Sequence, residues 1–182
     1  MIYVLIALVV IVILAVCWWI STMNGLRRLQ VKIKEALSGI DVALTKRYDT
    51  LTKMVDVAKS YAKFEKETIL GAVKLRQGMS MDERKAAMAN MDETRQGLNI
   101  LAENYPELHA NENYKQLQVS IMDVEEHLAA SRRAYNANVS QLNQKIVMFP
   151  TSIVANSCGI TAEAFFEAEE AKRSDVKMDL DI

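Results

Sequence analysis

The stretch SRRAYNANVSQLNQKIVMFP, residues 131–150, concentrates the side chains of this chain that could do chemistry. It sets Arg132 and Arg133 beside Tyr135, Asn136, Asn138 and Asn143. Asn is a poor interior helix residue because its amide competes with the backbone for hydrogen bonds. Such a set can serve catalysis, a ligand site or a polar contact between helices. Tyr135, Val139 and Leu142 share an apolar seam, and Asn136 and Asn143, seven apart, line one flank of it. Amides beside a seam bond to a neighbouring helix and fix its register at some cost in stability. A polar helix–helix contact is therefore the leading reading, ahead of a ligand site and well ahead of catalysis.

Other candidate chemistry is thin. His109 and His127 are 18 residues apart, with no Cys or carboxylate at metal-ligand spacing, so no zinc site is expected. Glu125, Glu126, Glu163, Glu167, Glu169 and Glu170 read as a solvated helix face, without the paired Glu-x-x-His motifs of a di-iron bundle. No glycine-rich phosphate loop is present. Cys17 lies within the apolar N-terminal segment and Cys158 far from it, so no intradomain disulfide framework is expected, and Cys158 reads as structural. No catalytic residue, cofactor or metal is expected. A net charge of −1 over 182 residues gives no basic character pointing to nucleic acid.

The elements that would position these residues begin with an apolar one. Met1–Ile20, MIYVLIALVVIVILAVCWWI, contains no charged side chain. Twenty helical residues span roughly 30 Å, the thickness of a bilayer's hydrocarbon core. Trp18 and Trp19 close the segment, where indoles favour the lipid–water interface. It lacks the basic start and small-residue end of a cleaved signal peptide, so a retained anchor, residues 1–24, is expected. Arg27, Arg28, Lys32 and Lys34 follow, against Glu35, and would meet anionic headgroups. The positive-inside rule then places the N-terminus outside and the remainder in the cytoplasm.

The remainder reads as all-α. From Leu26 the apolar positions run Leu29, Ile33, Leu37, Ile40, Leu44, Tyr48, Leu51, Val55, Ala58 and Ala62, ten steps over 36 residues, a helical period of about 3.6. The stripe continues through Ile69 and Val73 and predicts a first helix of roughly 50 residues, with Gly25 as a hinge and Gly78 as its end. Ser80-x-x-Glu83 has the capping-box form and starts a second helix near Met81, which Pro106 breaks. A third helix runs from about Glu112 to Met148, with an apolar period of 3.5, and stops at Pro150. TSIVANSCGI reads as a connection, and Thr161 as the cap of a short final helix carrying Phe165 and Phe166. Residues 25–172 thus form an elongated antiparallel bundle of three long helices and a short one, followed by a flexible acidic tail, residues 173–182.

These stretches carry a resemblance. IDVALTKRYDTLTKMVDVAKSYAKFE at 40–65, AENYPELHANENYKQLQ at 102–118, RRAYNANVSQLNQKIVMFP at 132–150 and GITAEAFFEAEE at 159–170, in this order behind an apolar start, resemble the LemA family of bacterial membrane proteins. The family pattern usually has a Pro within the segment corresponding to DTLTKMV, residues 49–55, and this chain has none. The resemblance implies a single-pass protein with a short external N-terminus and an elongated helical bundle, and it implies neither an enzyme nor a cofactor.

Two further expectations concern contacts. Arg132 or Arg133, with Asn136 and Asn143, should bond to polar groups of the first helix such as Asp41, Arg47 or Asp49. A 50-residue helix outruns the helices that could cover it, so Leu29, Ile33, Leu37, Ile40 and Leu44 should stay uncovered and form an interaction face. The function that follows is a membrane-anchored scaffold that self-associates along its first helix. An adaptor or regulator of another membrane protein is the alternative.

Overall fold

A computed structural model describes residues 1–61, residue 75 and residues 78–166. Among them the chain is helical, with no strand. Helix α1 runs Ile2–Ala58, α2 Met81–Asn104, α3 Pro106–Ala110, α4 Glu112–Val147 and α5 Thr151–Ser157. The chain divides into two compact units. One holds residues 1–38 and 132–165; the other holds residues 39–131 and, among the described residues, Phe166.

α1 begins in the charge-free stretch and passes through Gly25 with no break. It ends at Ala58, where Ser60 N–H and Tyr61 N–H turn back to the carbonyls of Val57 and Ala58 in tighter, three-residue turns. The helix expected to reach Gly78 therefore stops earlier. The stripe positions Ala62, Ile69 and Val73 lie outside the described residues. Gly78 sits in a turn at φ +77°, the left-handed region that glycine enters without steric cost.

The expected capping box is formed. Ser80 Oγ accepts from Glu83 N–H at 3.2 Å, and Ser80 N–H donates to Glu83 Oε2 at 2.7 Å, which satisfies two of the orphan donors at the start of α2. Asn111 does the same for α4, its Oδ1 accepting from Tyr114 N–H at 3.0 Å.

In the first unit the core is Leu26, Leu29 and Ile33 of α1, Tyr135, Val139 and Leu142 of α4, Val154 and Ala155 of α5, and Ile160. In the second it is Ile40, Leu44, Leu51, Met54 and Val55 of α1 with Met91 and Leu98 of α2, Leu108 of α3, and Tyr114, Ile121 and Leu128 of α4. Along the three long helices these positions recur mostly at three, four or seven residues, which places them on one face.

Two expectations are corrected at the C-terminal side. Residues 161–166 are not helical, and of the two Phe only Phe166 is buried. The short helix is α5, Thr151–Ser157, in the segment read as a connection. Val154 and Ala155 of that segment enter the core, and burying them on one face of a helical turn satisfies the backbone locally.

The uncovered face is corrected as well. Leu29, Ile33, Ile40 and Leu44 are 6%, 5%, 0% and 1% exposed, and Leu37 is half-buried. The mismatch of lengths disappears because α1 ends at Ala58: the amphipathic part from Leu26 is 33 residues, against 36 in α4.

Candidate functional site

The sequence points to the end of the apolar stretch, and the first unit gives it a definite geometry. Residues 1–18 are all exposed, an arrangement that water disfavours for a continuous run of large apolar side chains. α1 contains one helical window long and apolar enough to cross a bilayer. Trp18 is exposed and Trp19 half-buried; Arg27, Arg28, Lys32 and Lys34 are all exposed, with Arg27 Nη1 donating to Gln30 Oε1 at 3.4 Å.

Beside them is a cleft of about 400 Å³. Trp18, Ser21, Thr22 and Arg28 of α1 line it together with Lys145 of α4 and Thr151 of α5. Among the described residues its wall carries two cations and no carboxylate. Thr151 Oγ1 lies within bonding reach of the carbonyls of Lys145 and Met148, so α5 is tied to the last turn of α4 and the backbone that carries Lys145 is fixed. Lys145 and Thr151 are residues that the sequence reading missed. No spacing rule marks them, since the contact with α1 is tertiary.

Within the Asn-rich stretch, Asn143 has a different partner from the one expected. Asn143 forms a reciprocal pair with the backbone of Glu163: its Nδ2 donates to the carbonyl at 2.9 Å and its Oδ1 accepts from the N–H at 3.0 Å. Tyr135 O–H donates to the Ala164 carbonyl at 3.0 Å. Together they hold the extended segment that follows α5, in place of the first helix. Asn138 Nδ2 reaches the Lys32 carbonyl of α1 at 3.5 Å. Asn136 and Arg132 are half-buried, Arg133 is exposed, and all three are engaged in contacts.

The polar partners of α1 come mostly from α2. Arg84 Nε and Nη2 donate to the two carboxylate oxygens of Asp41 at 2.6 and 2.8 Å, and Nη1 donates to the Met79 carbonyl. Arg47, 1% exposed, donates to Asp92 of α2, meets Glu125 Oε1 of α4 at 2.6 Å and reaches the Met88 carbonyl at 3.3 Å. Arg95 of α2 joins the same Glu125 oxygen at 3.4 Å. Glu125 thus belongs to a charge cluster rather than to a solvated face, whereas Asp49 and Glu126 are exposed. Glu167, Glu169 and Glu170 lie outside the described residues.

A signal for these arginines was present in the sequence. Arg84, Ala87, Met91, Thr94 and Leu98 recur at helical spacing, as do Ile40, Leu44, Arg47, Leu51 and Met54, so each Arg interrupts an apolar stripe. A charge on that stripe must be paired, because an unpaired buried charge is costly.

His109 and His127 are both exposed, and Cys158 is half-buried with its Sγ 4.0 Å from Ser157 Oγ. Among the described residues no group of three or more His, Cys, Asp or Glu is placed to hold a metal ion. Tyr114 is fully buried, its O–H donates to the Leu98 carbonyl at 3.1 Å, and burial pushes the phenol above its usual range.

Known proteins resemble this chain along most of its length. A family model described as the LemA family matches residues 36–180. Protein LemA of Metamycoplasma hominis is 33% identical over 163 residues, which cover 87% of this chain and 74% of that protein. Magnetosome protein MamQ 1 of Paramagnetospirillum magneticum is 28% identical over 74 residues, and magnetosome protein MamQ of Magnetospirillum gryphiswaldense is 27% identical over 74. Both of these matches cover 41% of this chain and 27% of the relative.

Proposed function

This chain belongs to the LemA family, and from that premise we propose that it is a non-catalytic scaffold or adaptor holding a helical bundle at a bacterial membrane. Residues 1–24 serve as a single-pass anchor, residues 25–172 as the bundle domain and residues 173–182 as an acidic tail. The observation that carries the reading is the wholly exposed apolar run of residues 1–18, continuous with a helix whose later apolar face is buried. A bilayer covers the first part, and the fold covers the second. Arg27, Arg28, Lys32 and Lys34 orient the anchor with the bundle on the cytoplasmic side.

Burial of Leu29, Ile33, Ile40 and Leu44 removes these side chains as the self-association face. Assembly with copies of itself, or with other membrane proteins, is then carried by the anchor. Helices confined to one bilayer share an orientation and a raised effective concentration.

Alkaline extraction of membranes tests the anchor, and photo-crosslinking from Leu8 tests its partners. The full chain should stay with the bilayer, and a variant with Val9→Lys, Val12→Lys and Leu8→Lys should be released. Crosslinks from Leu8 should reach other chains. Release of the unaltered chain by the alkaline wash would overturn the reading.

A further inference from the structure

We propose that the cleft beside the anchor binds the headgroup phosphate of an anionic phospholipid, and that the α4–α5 turn inserts its apolar tip into the same bilayer. The inference rests on the anchor reading above and adds a second point of contact with a named lipid class.

Depth is the first argument. A hydrocarbon core of roughly 30 Å is filled by Met1–Ile20, so Ser21 to Arg28 lie at headgroup level. Lys145 and Thr151 line one cleft with those residues, so the turn between them lies at that level too. The turn is markedly apolar: Val147, Met148 and Phe149 are exposed, Phe149 at 81%, and Ile153 follows on α5. Neighbouring large side chains left open at the edge of an anchor are covered when the tip dips into the acyl boundary.

Charge is the second argument. Arg28 and Lys145 line the cleft with no carboxylate beside them among the described residues, and Ser21 and Thr22 add hydroxyls. Guanidinium and ammonium are both suited to phosphate oxygens, one as a fork and one as a point charge. Trp18 closes the membrane side, an indole at the position where aromatic rings sit among headgroups. Cations above and an apolar tip below match the two layers of an anionic leaflet.

The test uses the full chain in vesicles. Phe149→Cys in a Cys17→Ala, Cys158→Ala background carries an environment-sensitive fluorophore, and Glu126→Cys in that background serves as a water-exposed reference. With phosphatidylglycerol vesicles, the label at position 149 should emit as in an apolar medium and be quenched by nitroxide-labelled acyl chains, whereas the reference label should not. Native mass spectrometry should retain phosphatidylglycerol over phosphatidylcholine, and Arg28→Gln and Lys145→Gln should each weaken that preference about fivefold.

A label at position 149 quenched by aqueous iodide, in protein that resists alkaline extraction, would overturn the inference and leave the anchor intact. Protein released by alkaline extraction would overturn both. Equal retention of the two lipids, or loss of phosphatidylglycerol to inorganic phosphate, would show a general phosphate site and overturn the lipid assignment. Shielding of position 149 that appears only as protein concentration rises would assign the tip to a second copy and overturn it likewise.

Discussion

Arg84 of α2 grips Asp41 of α1 through both carboxylate oxygens, at 2.6 and 2.8 Å. The arginine is 5% exposed, and its remaining terminal nitrogen donates to the Met79 carbonyl beside the start of its own helix. The pair therefore ties the first turn of α2 to α1.

Asp41→Asn should lower stability by about 1–2 kcal/mol, less than the loss of a fully buried partner because Asp41 is more than a third exposed. Thermal unfolding of the detergent-solubilised chain measures it. No change in melting temperature would show that the pair contributes nothing.

Arg47 is more demanding. Arg47→Ala leaves Asp92 and Glu125 facing each other and should cost about 3 kcal/mol. Arg47 Nε is buried without a hydrogen bond among the described residues, so the native cluster is itself imperfectly satisfied. The triple replacement Arg47→Met, Asp92→Asn, Glu125→Gln should recover most of the loss. Equal instability of the single and triple variants, by denaturant titration, would contradict this.

These two arginines also show what the sequence could reveal. The helices from Met81 and Glu112, the capping box and the buried seam Tyr135, Val139, Leu142 were legible because period and caps are local signals. The end of α1 at Ala58 was not, because the apolar period runs on through Ala62 to Val73. The partners of Asp41, Arg47 and Asn143 were not legible either. Each group had several partners within chemical reason, and only packing selects Arg84, Asp92 and Glu163. The cleft was half legible: Arg28 came from the charge pattern and Lys145 from the fold.

Tyr114 makes stability depend on alkaline pH. Burial favours the neutral phenol, so the folded chain holds this proton above pH 10, where the unfolded chain releases it. The unfolded state gains from ionisation first, so this contribution is complete below about pH 10 and is lost as pH rises toward the folded value. Tyr114→Phe should cost about 1 kcal/mol at pH 7, and its stability should decline less as pH rises above about 10. Parallel curves for the two proteins in that window would contradict the account.

Asn143 holds the segment after α5. Asn143→Ala removes both bonds to Glu163 and should cost about 1–2 kcal/mol, with faster amide exchange at Glu163. Asn143→Asp should not rescue it, since a carboxylate cannot donate to the Glu163 carbonyl. Unchanged exchange at Glu163 would show that the segment is held by other contacts.

We propose that the exposed apolar start of α1 crosses the bilayer once, with the bundle on the cytoplasmic side. Labelling of right-side-out membrane vesicles with a membrane-impermeant maleimide tests it most directly, with a cysteine ahead of Met1 or with Glu126→Cys, each in a Cys17→Ala, Cys158→Ala background. Labelling is expected ahead of Met1 in sealed vesicles and at position 126 only after permeabilisation. Labelling of both positions in sealed vesicles would contradict it.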